Sequence, residues 1–229
     1  MDRATAHTDE LFSLAVQEGL RVSARLRLPA AARACYVLAH GAGAGMDHPF
    51  MRAAADELCA LGIATLRYQF PYMERRTRRP DPPPLCHATV RAALAEAAHR
   101  AAALPLFAGG RSFGGRMTSQ AQALEPLKGV RGLVFLGFPL HPAGRPSDTR
   151  AQHLSEVRIP MLFVQGARDA LAERARIEAL VSRLGARATL HEVEDADHSF
   201  HVPARSGRKD AEVTSALLRA VAQWMDTLL

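Results

Sequence analysis

Gly110-Arg111-Ser112-Phe113-Gly114 sets a serine between glycines two residues away on either side. That is the spacing of a nucleophile elbow, where a serine sits on a sharp turn from strand to helix and its hydroxyl stands clear of the sheet. The glycines supply the room that such a close approach of backbones requires. The context it needs is also legible: Leu106 to Gly110 reads as a strand and Phe113 to Leu124 as a helix.

A serine hydroxyl is a weak nucleophile at neutral pH and needs a base, which in turn needs an orienting acid. In an elbow of this type the acid and then the histidine follow later in the chain, each after a strand. Asp169 ends Gln165-Gly166-Ala167-Arg168-Asp169, just after the strand read at Met161 to Gln165. His198 follows the last strand, Ala188 to Val193, in Asp195-Ala196-Asp197-His198. The rival acid is Asp148, one strand earlier, and the other role open to Asp169 is to cap the helix read from Leu171. Among the other histidines, His191 lies inside a strand. His201 with His198 and Asp197 offers a metal pair, but no further ligand cluster at metal spacing accompanies it. No metal and no cofactor are therefore expected.

Acyl chemistry at Ser112 also requires two backbone amides aimed at the oxyanion. One is expected from Phe113, the residue after the serine, and the other from Ala42 in the glycine-rich turn His40 to Gly45. That turn lacks the Lys-Ser/Thr of a phosphate loop and the glycine spacing of a dinucleotide site.

These groups must be held by a scaffold, and the chain alternates short apolar runs with helix-period segments from Ala34 onward, the pattern of a parallel sheet covered by helices. Two opening strands, Leu11 to Val16 and Leu20 to Leu28, read as a hairpin around Gly19. Cys35 to Ala39, Ile63 to Phe70 and Leu133 to Gly137 read as further strands. A helix opening near Asp47-His48-Pro49, with Phe50, Ala54, Leu58 and Leu61 on its apolar face and Gly62 at its end, is followed by helices read at Ala88 to Leu104, Leu171 to Leu184 and Asp210 to Leu228, the last with Trp224 on its apolar face. Phe70, Tyr72, Phe138 and His141 follow strands whose ends face the site, which makes them candidates for the wall of a substrate pocket. Between Gly137 and Met161 lie about 23 residues with four helix-breaking Pro and Gly positions, too few for a multi-helix cap; at most Arg150 to Glu156 forms a short helix.

Composition narrows the class. With 48% apolar and 23% charged residues in 229, the chain is of globular type, and one domain is expected. Residues Met1 to Glu10 are too charged for a secretory signal, and the apolar runs stop well short of the roughly 18 to 20 residues of a membrane span. Three cysteines without Cys-x-x-Cys spacing suit a reducing cytoplasm. All but two (Lys128 and Lys209) of the 29 basic residues are arginine, and the net charge is +6. The densest cluster, Arg75 to Arg79, precedes a proline run that is read as a solvated loop, and no nucleic-acid-reading module accompanies it. Neither a nucleic acid nor a membrane is expected as partner, and the oligomeric state is left open.

The combination of His40 to Met51, Phe70 to Glu74, Arg79 to Pro84, Gly109 to Met117, Gly137 to Pro142 and Val164 to Asp169 resembles the α/β-hydrolases, in particular a branch of small hydrolases related to dienelactone hydrolases. The resemblance runs from the opening strands to the closing helix. It implies a mostly parallel sheet of about eight strands, helices on both faces, and little or no cap. Dienelactone hydrolases proper use a cysteine nucleophile, whereas the elbow here carries Ser112, so their reaction is not carried over. The expected activity is serine hydrolysis of a small acyl substrate, a carboxylic ester with a short acyl chain. The alternative is an interaction protein of the same fold whose arginine loop is a docking surface.

Overall fold

The computed structural model describes residues 6–229; the first half of the charged stretch read at Met1 to Glu10 lies outside the described residues. Eight strands form one sheet: β1 (His7–Gln17), β2 (Leu20–Pro29), β3 (Ala34–Ala39), β4 (Ile63–Tyr68), β5 (Leu106–Arg111), β6 (Val130–Leu136), β7 (Met161–Gly166) and β8 (Ala188–Val193). Their spatial order is β1-β2-β4-β3-β5-β6-β7-β8. The first two make the expected antiparallel hairpin, β2 meets β4 antiparallel, and the remaining pairs are all parallel.

The helices are α1 (Pro49–Ala60), α2 (Pro71–Glu74), α3 (Pro83–Arg100), α4 (Phe113–Leu124), α5 (Arg174–Leu184) and α6 (Asp210–Asp226). Two apolar cores form, one on each face of the sheet. Val90 and Leu94 of α3 and Met117 of α4 join the first; Ala54 of α1 and Leu217 and Val221 of α6 join the second. A strand covered on both faces is mostly apolar, and all six residues of β3, β4 and β7 are buried, with Thr65, Arg67 and Gln165 as the polar exceptions. Trp224 is half-buried, edge-on to Phe107, and its ring also covers Gly132.

The chain reverses its direction of winding at β3: β4 lies on one side of it and β5 on the other. In an open α/β sheet the crevice beyond the strand ends at such a switch is the natural place for a ligand. The loops that follow β3 and β5 carry Ala42 and Ser112.

Some boundaries differ from the sequence reading, each for a local reason. Strand β4 stops at Tyr68 because Phe70, extended before Pro71, starts the unforeseen short helix α2. Helix α3 begins at Pro83, so the proline run ends in regular structure. Pro83 and Pro84 occupy its first turn, where the missing N–H groups would have had no partner. Helix α5 begins at Arg174 rather than Leu171, after a turn closed by Asp169. The segment between β6 and β7 holds only a 3-10 helix, Thr149–Glu156. Among the described residues, no cap stands over the strand ends.

Candidate active site

Ser112 lies between β5 and α4 with φ 48° and ψ −111°, a conformation rare for any residue with a side chain. Such backbone costs on the order of 1–3 kcal/mol and persists only where its surroundings enforce it. Two glycines make the turn possible. A Cβ on Gly110, at φ +150°, would stand 2.2 Å from the Ala39 carbonyl oxygen, and one on Gly114 would stand 2.6 Å from the same atom. Strand β3 and the start of α4 therefore meet backbone to backbone, which brings the turn after β3 beside Ser112.

His198 reaches Ser112 from the loop after β8: its Nε2 lies 2.9 Å from Ser112 Oγ. Its Nδ1 lies 2.6 Å from Asp169 Oδ2. With the Nδ1 hydrogen given to Asp169, Nε2 is left to accept the serine proton. Asp169 is itself fixed: its Oδ1 accepts from the Leu171 amide at 2.7 Å, and its Oδ2 also accepts from Gln165 Nε2 at 2.5 Å. The aspartate thus closes a turn and orients the histidine with the same carboxylate. The rivals lie elsewhere. Asp148 pairs with Arg176, and His201 pairs with Asp210 at 2.8 Å.

Arg111 supports the His198 loop from below. Its guanidinium lies 4.3 Å from the Phe50 ring centre and 5.6 Å from that of Phe200, and its Nη2 donates to the His198 carbonyl at 3.3 Å.

The turn after β3 is held by His40, which is fully buried. Its Nδ1 lies 2.7 Å from the Gly41 carbonyl, and its Nε2 accepts from the Phe70 amide at 3.1 Å. Burial pushes its pKa down to about 4, so the neutral ring bridges the two loops. Next to it, Gly43 N–H donates to the Tyr72 hydroxyl at 3.0 Å. Among the described residues, the amides of Ala42 and Phe113 meet no acceptor from the protein. Both residues line the same cavity as Ser112. Phe113 also opens α4, so the positive end of the helix dipole faces the same space.

That cavity, about 440 Å³, has walls other than those named from the sequence. Phe70, Tyr72, Phe138 and His141 are fully buried, one layer behind its surface. Phe70 and Tyr72 pack edge-on against Phe113, at 5.4 and 6.3 Å between ring centres. Phe138 packs on Phe135 and Phe163, and His141 Nε2 bonds Glu173 at 2.6 Å. The cavity is lined instead by Pro80, Asp81 and Pro83, and by Pro139, Arg150 and Leu171. Met117 and Arg116 of α4 complete it. Arg116 could have been found by counting one helical turn from Ser112; nothing in the sequence points to Arg150 or Gln165.

A sheet of this order, with a serine on a strained elbow and an aspartate-histidine pair behind it, defines the α/β-hydrolase class without a lid. Residues 32–226 match the family model described as an alpha/beta hydrolase domain, and the chain belongs to that family. Among solved structures it is similar to a dienelactone hydrolase from Anabaena variabilis (22% identity, 97% of this chain and 99% of that one, TM-score 0.77). It is also similar to an α/β serine hydrolase without lid from Xanthomonas campestris (22% identity, 94% of each chain, TM-score 0.73). A third is an alpha-beta serine hydrolase homologue from Coxiella burnetii (19% identity, 92% of this chain and 96% of that one, TM-score 0.72).

Proposed function

We propose that this chain is a serine hydrolase of carboxylic esters with short acyl groups, working through an acyl-enzyme. The observation that carries the reading is the unbroken line of hydrogen bonds from Asp169 Oδ2 through His198 to Ser112 Oγ, on a residue held in strained backbone.

In the first step Ser112 Oγ attacks the acyl carbon while its proton passes to His198 Nε2. The carbonyl oxygen, now negative, takes the amides of Ala42 and Phe113. The C–O bond to the alcohol breaks, and the alcohol leaves with the proton from His198. Water then attacks the acyl-serine, giving its proton to the same nitrogen; the acid departs and Ser112 recovers its hydrogen. Asp169 keeps His198 in the tautomer that both steps need. The ester and one water supply every atom of the acid and the alcohol, and the protein groups end as they began.

The test is a fluorophosphonate probe followed by intact-mass spectrometry. Wild type should carry one adduct and Ser112→Ala none, with ester hydrolysis by the variant down roughly 10⁴-fold or more. An adduct on a different serine would refute the assignment. A folded wild type that takes no adduct would favour a hydrolase-like interaction protein instead.

A further inference from the structure

We propose that the cavity beside Ser112 is built to take an acyl substrate carrying an anionic group, a carboxylate or a phosphate, held between the guanidinium groups of Arg116 and Arg150. The inference rests on the reading of Ser112 as the nucleophile, and it adds the charge of the substrate.

Both arginines line the same cavity as Ser112, Ala42 and Phe113. Arg116 is one turn along α4, its amide donating to the Ser112 carbonyl at 3.1 Å. A helical side chain leans toward the N-terminus of its helix, so that of Arg116 is directed back over the elbow. Arg150 comes from a segment distant in the chain, the 3-10 helix Thr149–Glu156.

Neither guanidinium has an acidic partner among the described residues. The Arg116 Nε is buried with no hydrogen-bond acceptor, which is costly for a charged donor. Its one described side-chain contact of note is with the Phe113 ring, 5.7 Å from the ring centre. Burial first and then the nearby Arg150 push the Arg116 pKa down, and Arg116 in turn adds to the burial that holds down the pKa values of His87 and His153. Asp81, the acid that shares the cavity, is already engaged. Its Oδ2 accepts from the Tyr72 amide at 2.7 Å and its Oδ1 is paired with Arg75. Arg116 and Arg150 are thus two cations without an acid in the cavity that holds the nucleophile, a feature to explain. Planar guanidinium forks match carboxylate and phosphate oxygens. An anion there would satisfy Arg116 Nε and relieve the repulsion between the two side chains.

The experiment compares matched esters on the intact chain. One pair differs on the acyl side, 4-nitrophenyl hemisuccinate against 4-nitrophenyl 4-oxopentanoate. The other differs on the alcohol side, 4-acetoxybenzoate against 4-acetoxybenzamide. In at least one pair the anionic member should have a kcat/KM higher by about tenfold or more, the scale of a hydrogen bond to a charged group. Arg150→Gln should bring that ratio below about threefold, and Arg116→Lys should keep part of what Arg116→Gln loses. Competition by succinate and by inorganic phosphate then distinguishes the two anions. Equal rates within both pairs, or a preference that survives Arg150→Gln and Arg116→Gln, would overturn the proposal while leaving a labelled Ser112 in place. Should Ser112 take no label and no ester turn over, calorimetric titration with succinate and with phosphate decides the anion site alone. Binding by wild type that Arg150→Gln weakens supports it, and no binding by wild type overturns it.

Discussion

Gln165 Nε2 donates to Asp169 Oδ2, the same oxygen that takes the His198 Nδ1 hydrogen. The orientation of the glutamine is imposed from its other end, where Oε1 accepts from the Phe138 amide at 2.9 Å. The amide therefore presents a donor to the aspartate and pins it against rotation. Gln165 is a positioning residue in an otherwise apolar strand, and it is itself buried.

Gln165→Leu should remove that restraint and leave the Phe138 amide without its acceptor. The expected loss in kcat is roughly ten- to a hundredfold, the equivalent of one or two charge-assisted hydrogen bonds. Gln165→Glu should be at least as damaging, since a second carboxyl group would face Asp169 Oδ2. Fluorophosphonate labelling rates report on the same defect without a substrate. Rates equal to wild type in both variants would mean that Leu171 and His198 hold Asp169 unaided.

Asp169→Asn should lower kcat by on the order of 10³- to 10⁴-fold through the wrong histidine tautomer. Asp148→Asn should be mild, because Asp148 faces Arg176 and is 39% exposed in its side chain. The measurement is a side-by-side kcat on one short ester. A crippled Asp148→Asn with a healthy Asp169→Asn would reassign the acid.

Acetyl and butyryl esters should match or exceed octanoyl and longer ones in kcat/KM below the micelle concentration. The cavity of about 440 Å³ ends at Pro80, Pro83, Pro139 and Leu171, with no cap above it. A long chain would leave most of its methylenes in water and forgo roughly 0.8 kcal/mol for each. A rate that climbs steadily to twelve carbons, or jumps at micelle formation, would reveal a closure of the proline-rich walls.

Stability should fall as the pH drops from about 6.5 toward 4. Burial first, then the nearby Arg116 and His87, push the His153 pKa down to about 4, and burial does the same for His40. Unfolded histidines titrate near 6.5, so between these values the unfolded chain binds more protons and gains on the folded one. Above that window these residues carry no penalty, and below it the penalty stops growing. His153 keeps a 2.7 Å contact with Ser119 Oγ, and His153→Gln removes its titration. The gap in unfolding free energy between wild type and variant should shift in favour of the variant by on the order of 1–3 kcal/mol between pH 7 and pH 4.5. Parallel curves from urea denaturation would show that His153 is not the group that titrates.

The sequence by itself determined the order of the strands and of all the helices but the short α2, the elbow at Ser112 and the order in which Asp169 and His198 follow. Each of these is a local matter: apolar period marks an element, glycine marks a close approach, and a polar residue just past a strand marks the end where ligands sit. Tertiary structure decided what faced the nucleophile. Phe70, Tyr72, Phe138 and His141 follow the right strands, yet all four are buried: Phe70 and Tyr72 support Phe113 and the loop of His40, while Phe138 packs on Phe135 and Phe163 and His141 bonds Glu173. The surface left to the substrate went to prolines and to Arg116 and Arg150, which come from segments far apart in the chain. Which side chain lies behind a wall and which forms it depends on how two loops pack across the gap between them, and no period or spacing along one segment records that. Gln165 was hidden for a related reason: Asp169 is only four residues on, but Phe138, which orients the amide, meets it only when β6 and β7 lie side by side.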